Sequence, residues 1–302
     1  KAQQVIGLCG IDTRELTKLL REAGVMNGMI ISGTGAEAEK YRAMLASPDE
    51  KAKLLAQIQA YRITGAVEQV TGSARAVEED ARTVFTESAA YRFVPVRADG
   101  TKENDMAAAM AAGKGKNVVL WDFGAKANIR RELLKRGLEV TVMDASATAD
   151  EILARHPDGL MLSNGPGDPG DNTRIIKEIR KLVASGLPVF GICLGHQLLA
   201  LAMGGRTMKL KYGHRGANQP VRDLAGVHTY ITSQNHGYAV VSESVAHVGR
   251  VIFENANDGT CEGVEYPDAK CFSVQFHPEA CSGPLDTRFL FDRFITMMGG
   301  EN

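Results

Sequence analysis

The chain of 302 residues lacks any run of about 18 apolar residues, so no segment reads as a membrane-spanning helix. It has no Cys-x-x-Cys pair, no internal repeat and no low-complexity tract. The five cysteines (Cys9, Cys193, Cys261, Cys271 and Cys281) are odd in number and irregularly spaced, which argues against a disulfide framework or a zinc knuckle. A reducing, cytoplasmic setting is therefore expected. There is no charge excess either: 35 basic residues stand against 36 acidic ones, a net charge of −1. Nucleic acid and anionic membranes are thus not expected as partners. The first ten residues lack the apolar core of a secretory signal, although the chain begins with Lys1, as a processed or truncated product would. What remains is an ordinary globular composition, 44% hydrophobic and 24% charged, long enough for one large or two ordinary domains.

The first part of the chain is irregular. A short strand is expected over Val5–Leu8. A helix should run from Asp12, a capping residue with Glu15, to about Ala23, with Leu16, Leu19 and Leu20 in one stripe and Gly24 as its C-terminal cap. Residues 36–60 read as polar helix, 61–113 as short mixed elements, and Lys114-Gly-Lys116 as a linker. Beyond it the pattern becomes regular. Strands are expected at Val118–Trp121, Leu138–Met143, Gly159–Leu162 and Val189–Ile192, with helices at Asn128–Arg136, Ala149–Arg155, Asn172–Ser185 and Gly195–Met203. Such alternation implies a doubly wound α/β domain over 114–302, mostly parallel with helices on both faces, preceded by a smaller domain in 1–113. Past Lys209 the sequence reads as short strands and tight turns before a final helix, Thr287–Met298.

In such a sheet ligands bind beyond the carboxyl ends of the strands. Gly191-Ile-Cys193-Leu-Gly195 sits at one of these ends and has the form of a nucleophile elbow with cysteine as the nucleophile. Small flanking residues suit a sharp strand-to-helix turn, a helix N-terminus favours thiolate, and the Leu194 N–H would point at an oxyanion. The bland alternative is one more small buried cysteine. A thiol nucleophile needs a base, and the base needs an orienting group. Phe276-His277-Pro-Glu279 follows a strand over Cys271–Gln275, and in extended chain residues two apart face the same way, so Glu279 could orient His277. The alternative is a surface His and Glu at the start of a loop.

Ser163-Asn-Gly165-Pro-Gly167-Asp-Pro-Gly170 fits neither a Walker loop nor a dinucleotide fingerprint. It reads either as a plain connection or as a backbone wall beside Cys193, with Gly165 offering a second oxyanion donor and Gly167 close ligand approach. Asn235-His236-Gly237 reads by itself as a turn, Lys209–Gly216 as a solvated loop, His196 as structural, and Trp121, Asp122 and Phe123 as packing residues.

Gly191-Ile-Cys-Leu-Gly-His-Gln197 with His277-Pro-Glu279 resembles the class I, triad-bearing glutamine amidotransferases. Within them the chain is similar to the small-subunit family of carbamoyl-phosphate synthases. That closer likeness rests on Ile11–Leu20, Asp122-Phe-Gly-Ala-Lys-Ala-Asn128, Ser163–Pro169, Gly213-His-Arg-Gly-Ala-Asn218 and Gln234-Asn-His-Gly237. The resemblance implies Cys193 as nucleophile, His277 as acid–base and Glu279 as its orienter. It implies that Gly165, Gly167, Leu194, Gln197, Asn235, Gly237 and Tyr238 contact glutamine. It also implies no cofactor in this chain, with ATP and metal ions held by a large partner subunit that makes carbamoyl phosphate for pyrimidine and arginine synthesis. The family's N-terminal domain is longer, and a serine that normally contacts glutamine belongs to the part not represented here. The rivals are a glutaminase serving another synthase and a non-catalytic supporting subunit. The N-terminal block argues against the first, and the presence of Cys193 against the second.

Overall fold

A computed structural model describes residues 8–72, 112–226 and 228–299. The strand expected at Val5–Leu8 falls, apart from Leu8, outside the described residues, as does most of 61–113. By internal contacts the chain divides into two compact units, Lys1–Ile63 and Thr64–Asn302.

In the first unit, helix α1 (Thr13–Ala23) starts where the Asp12 carboxylate accepts the Glu15 N–H at 2.9 Å, and ends at Gly24, whose N–H bonds Leu20 O at 2.8 Å. Leu16, Leu19 and Leu20 are exposed. The stretch expected as one helix over 36–60 is two, α2 (Ala36–Ala46) and α3 (Pro48–Ala60). Pro48 cannot continue the preceding helix, because its ring removes an N–H and restricts the residue before it. Ser47 instead caps α3 by accepting the Glu50 N–H.

The second unit begins earlier than the linker at 114–116 suggests. Helix α4 (Ala66–Val70) buries Val67 in the main core, and Thr71 Oγ1 donates to Asp122 O at 2.6 Å and accepts from Ala145 N–H at 2.7 Å. Among the described residues nine strands follow: β1 (Asn117–Asp122), β2 (Glu139–Asp144), β3 (Gly159–Leu162), β4 (Val189–Ile192), β5 (Thr207–Asp223), β6 (Thr229–Val240), β7 (Arg250–Asn255), β8 (Cys261–Tyr266) and β9 (Cys271–Val274). They form one sheet in the order β2-β1-β3-β4-β9-β8-β7-β5-β6. Pairings from β2 through β9 are parallel and the rest antiparallel. Past Lys209 the expected short strands are β7, β8 and β9, but they are preceded by a long hairpin, with β5 running 17 residues and β6 running 12.

The strand pattern explains the layering. Val119, Trp121, Leu160 and Leu162 face one side, where they pack with α6 (Ala149–Leu153), α7 (Thr173–Ala184) and α8 (Leu194–Ala202). Val118, Leu120, Met161 and Phe190 face the other, with α5 (Ala127–Lys135) and the last helix, α10 (Phe289–Met298), which follows the short α9 (Ser242–Val245). Each such side chain, fully buried, contributes roughly 1.5–3 kcal/mol. Two covered faces are why the central parallel strands β3 and β4 are apolar throughout. Among the described residues no helix is long and apolar enough to cross a membrane.

Candidate active site

The carboxyl ends of β3, β4 and β9 lie side by side, and each carries one part of the site. Cys193 follows β4 and caps α8 with φ 55° and ψ −101°, a left-handed region that side chains avoid, so the thiol is held on a strained turn. The elbow's glycines have a steric cause. A Cβ on Gly195 would sit 2.4 Å from Leu162 O, and one on Gly191 would sit 2.7 Å from Gly195 O. Strand, turn and helix can close on one another only without those atoms. Leu194 is the first residue of α8, so its N–H has no acceptor within the helix. The Cys193 N–H bonds Val274 O at 2.9 Å, tying the elbow to β9.

After β9 the chain bends through Gln275 and Phe276 to His277, whose N–H bonds Ser233 O at 2.9 Å. Glu279 does not reach His277 by strand alternation as expected. A turn, closed by Ala280 N–H to His277 O at 3.1 Å, folds it back so that His277 Nδ1 and Glu279 Oε1 are 2.8 Å apart. His277 also hydrogen-bonds the Cys193 side chain, for which Nε2 is the ring nitrogen left. Both partners of the pair are buried, His277 at 4% and Glu279 at 0% exposure. Burial opposes charge on His277, but Glu279 and Cys193 outweigh it and push the imidazole up to about 10. Burial likewise opposes the Glu279 charge, yet His277 and Lys126 hold that carboxyl below its ordinary range.

The segment that follows β1 supports this pair. Lys126 Nζ lies 3.7 Å from Glu279 Oε1, and Asn128 Nδ2 donates to Glu279 O at 3.1 Å. Asn164 of the glycine loop accepts the Lys126 N–H at 2.9 Å. Sequence reasoning missed these residues; the Asp122–Asn128 motif that carried the resemblance was the signal that could have found them. His196 is fully buried, its Nδ1 2.8 Å from Ser273 Oγ, and burial with the neighbouring His236 pushes it down to about 3. With no carboxylate at its ring it remains neutral.

Gly165 lies against the elbow: a Cβ there would be 2.6 Å from Leu194 Cδ2 and 2.4 Å from Phe123 O. Gly167 is exposed and adopts φ 95°. Asn235-His-Gly237 is not a turn but part of β6, and Lys209–Gly216 is not a loop but part of β5. Gln197 Nε2 donates to Tyr238 O at 2.8 Å and Gln275 Oε1 at 2.9 Å, so α8, β6 and the segment after β9 are tied together. The Tyr238 hydroxyl hydrogen-bonds Asp168 of the glycine loop, and burial with that carboxylate pushes the phenol up to about 12. Gly165 thus lies against Leu194, and Gln197 holds the Tyr238 carbonyl. Asn235 and Gly237 share the β6 segment, and the Asn235 side chain is exposed.

Residues 119–297 match the family model described as glutamine amidotransferase class-I. A carbamoyl phosphate synthase small chain from Symbiobacterium thermophilum is 43% identical over 293 residues, covering 96% of this chain and 69% of the relative. The counterpart from Xanthomonas axonopodis pv. citri is 41% identical over 305 residues, covering 100% of this chain and 74% of the relative. The solved structure of a GMP synthase protein from Thermoplasma acidophilum shares the fold at TM-score 0.53 and 21% identity, over 61% of this chain and 94% of the other. The chain belongs to the carbamoyl phosphate synthase small chain family of class-I glutamine amidotransferases.

Proposed function

We propose that the chain hydrolyses L-glutamine through a thioester on Cys193 and passes the ammonia to a large ATP-dependent subunit. The observation that carries this reading is the alignment of Cys193, His277 and Glu279, with imidazole between buried carboxylate and strained elbow thiol. The Cys193 thiolate adds to the side-chain amide carbon of glutamine. The N–H groups of Leu194 and Gly165 are suited to receive the oxyanion. His277, as imidazolium, protonates the departing nitrogen, so the C–N bond breaks and ammonia leaves. Neutral His277 then takes a proton from water, whose oxygen attacks the thioester. Collapse expels the thiolate, releases glutamate and restores the ion pair. Glu279 orients the ring and favours its charged form.

Gly165, Gly167, Leu194, Gln197, Asn235, Gly237 and Tyr238 form the glutamine pocket in this reading. The chemistry calls for no metal or organic cofactor in this chain, and ATP and metal ions serve the large subunit, which joins ammonia to bicarbonate to make carbamoyl phosphate for pyrimidine and arginine synthesis. The setting is cytoplasmic, the assembly a heterodimer or a multiple of it, and neither nucleic acid nor membrane takes part. The test is glutamine-dependent against ammonia-dependent synthesis by the complex carrying Cys193→Ser. Selective loss of the glutamine-dependent reaction supports the reading, and its persistence refutes it.

A further inference from the structure

A second cluster of titratable side chains, unused by the proposed chemistry, lies in the antiparallel half of the sheet. His214 of β5 meets Asp258 Oδ2 through Nε2 at 2.9 Å and Glu262 Oε1 of β8 through Nδ1 at 3.2 Å. Both ring nitrogens thus face carboxylates, and the ring is an imidazolium between them. Glu262 has no solvent exposure, and its Oε1 also accepts from Asn255 Nδ2 at 3.1 Å. A carboxylate so buried is costly unless a charge and hydrogen bonds compensate it.

From this pair, contacts run to the active site. The His214 and His236 rings meet edge to face at 4.9 Å. The Gln234 side chain packs between them, its amide oxygen 3.1 Å from His214 Nδ1 and 2.9 Å from His236 Nε2. His236 Nδ1 donates to Tyr238 O at 2.8 Å, the carbonyl that also accepts from Gln197 on the helix begun by Cys193. Burial keeps His236 neutral, so with Nδ1 donating its Nε2 is an acceptor. A half-turn of the Gln234 amide presents an N–H to His236 Nε2 and leaves the His214 Nδ1–H to Glu262. The two rings are thus coupled by the amide packed between them and by their edge-to-face contact.

The strand needs such support. β6 is an edge strand, and its pairing with β5 shifts register between Lys209 and His214 and again between Gly216 and Gln219. The ladder is therefore broken on both sides of the three pairs that hold Gln234, Asn235 and His236. Gln234 and His236 are buried toward the cluster and the alternate Asn235 is exposed, so the cluster sets the orientation of this whole stretch.

We propose that His214 and Glu262 are positioning residues for the amide substrate: a charged pair that braces Gln234–Tyr238 through His236 and so places Asn235, Gly237 and Tyr238 against glutamine. This rests on the glutaminase reading above. The test uses the full chain and a diazoketone analogue of glutamine that alkylates the nucleophile, separating affinity (KI) from the limiting alkylation rate. Glu262→Ala should raise KI roughly tenfold or more, as loss of one charged hydrogen bond does, with the limiting rate within about twofold. Glu262→Gln, which keeps the hydrogen-bonding shape, should restore most of the affinity. His214→Gln, milder in case Glu262→Ala fails to fold, should also raise KI. Unchanged KI in a folded Glu262→Ala or His214→Gln variant overturns the proposal, as does loss of limiting rate at constant KI. Stoichiometric zinc whose chelation raises KI would replace the proton-based brace with a metal. If the wild-type chain shows no saturable labelling of Cys193, the glutaminase reading and this proposal fall together; normal wild-type labelling with unaltered variants removes the brace alone.

Discussion

Two histidine–glutamate pairs stand at opposite ends of a chain of contacts, and they differ in what faces the second ring nitrogen. In the parallel half, His277 holds Glu279 on one side and the Cys193 thiol on the other. In the antiparallel half, His214 holds Glu262 on one side and Asp258 on the other. Buried carboxylates favour the charged ring in both, with His277 pushed up to about 10 and His214 to about 9. A ring between carboxylate and thiol has a neighbour that can give and take its proton during turnover. A ring between two carboxylates has no such neighbour, and its charge is fixed. Similar electrostatics thus serve acid–base chemistry in one place and fixation in the other.

The sharpest way to break the comparison is to remove the thiol. Cys193→Ser should lower glutamine turnover by at least roughly a thousandfold while ammonia-dependent synthesis by the complex persists, because serine is far harder to ionise. Survival of glutamine turnover within about tenfold would mean that His277 serves no nucleophile at this position.

Next come the members of the first pair. His277→Asn should cost roughly 10²–10⁴-fold in turnover, since the ring moves protons in both half-reactions. Glu279→Gln should cost less and leave a different trace. Without the carboxylate that favours imidazolium, the value near 10 falls, so the alkaline limb of the pH–rate profile moves to lower pH. An alkaline limb that stays in place or rises would contradict the role given to Glu279.

The elbow was legible because its cause is local. Glycines at 191 and 195 flank a cysteine at a strand–helix junction, and the backbone oxygens that a Cβ there would meet at 2.7 and 2.4 Å are the steric demand those glycines signal. The β5–β6 hairpin was not legible. Its strands are half exposed and carry two register shifts, so no clean alternation survives. Gly213, Gly216 and the Asn-His-Gly sequence then carry the composition of a loop. The turn that brings Glu279 to His277 was also missed in form though not in partners, because residues two apart can meet through a tight turn as well as along a strand.

A smaller effect separates the pairs by stability. Each raises a histidine above its ordinary 6.5, so its contribution is fully present below that value and is lost as pH rises, through about 9 for His214 and about 10 for His277. Urea midpoints should fall between pH 7 and 10, and Glu262→Gln should flatten the earlier part of the fall and Glu279→Gln the later. His196 and His236, kept neutral by burial, act oppositely. Their contribution is present above 6.5 and is lost as pH falls toward about 3 and about 4, giving an acid limb. A midpoint that rises from pH 7 to 10 would contradict the charged state assigned to both pairs.

The most direct measurement is the mass of the chain quenched in acid during steady-state hydrolysis of glutamine, followed by peptide mapping. A single glutamyl adduct should appear on the peptide containing Cys193, accumulate when water attack is slowed, and be absent in Cys193→Ser. Hydrolysis without any adduct at Cys193, or an adduct on another residue, would contradict the assignment of the elbow cysteine as nucleophile.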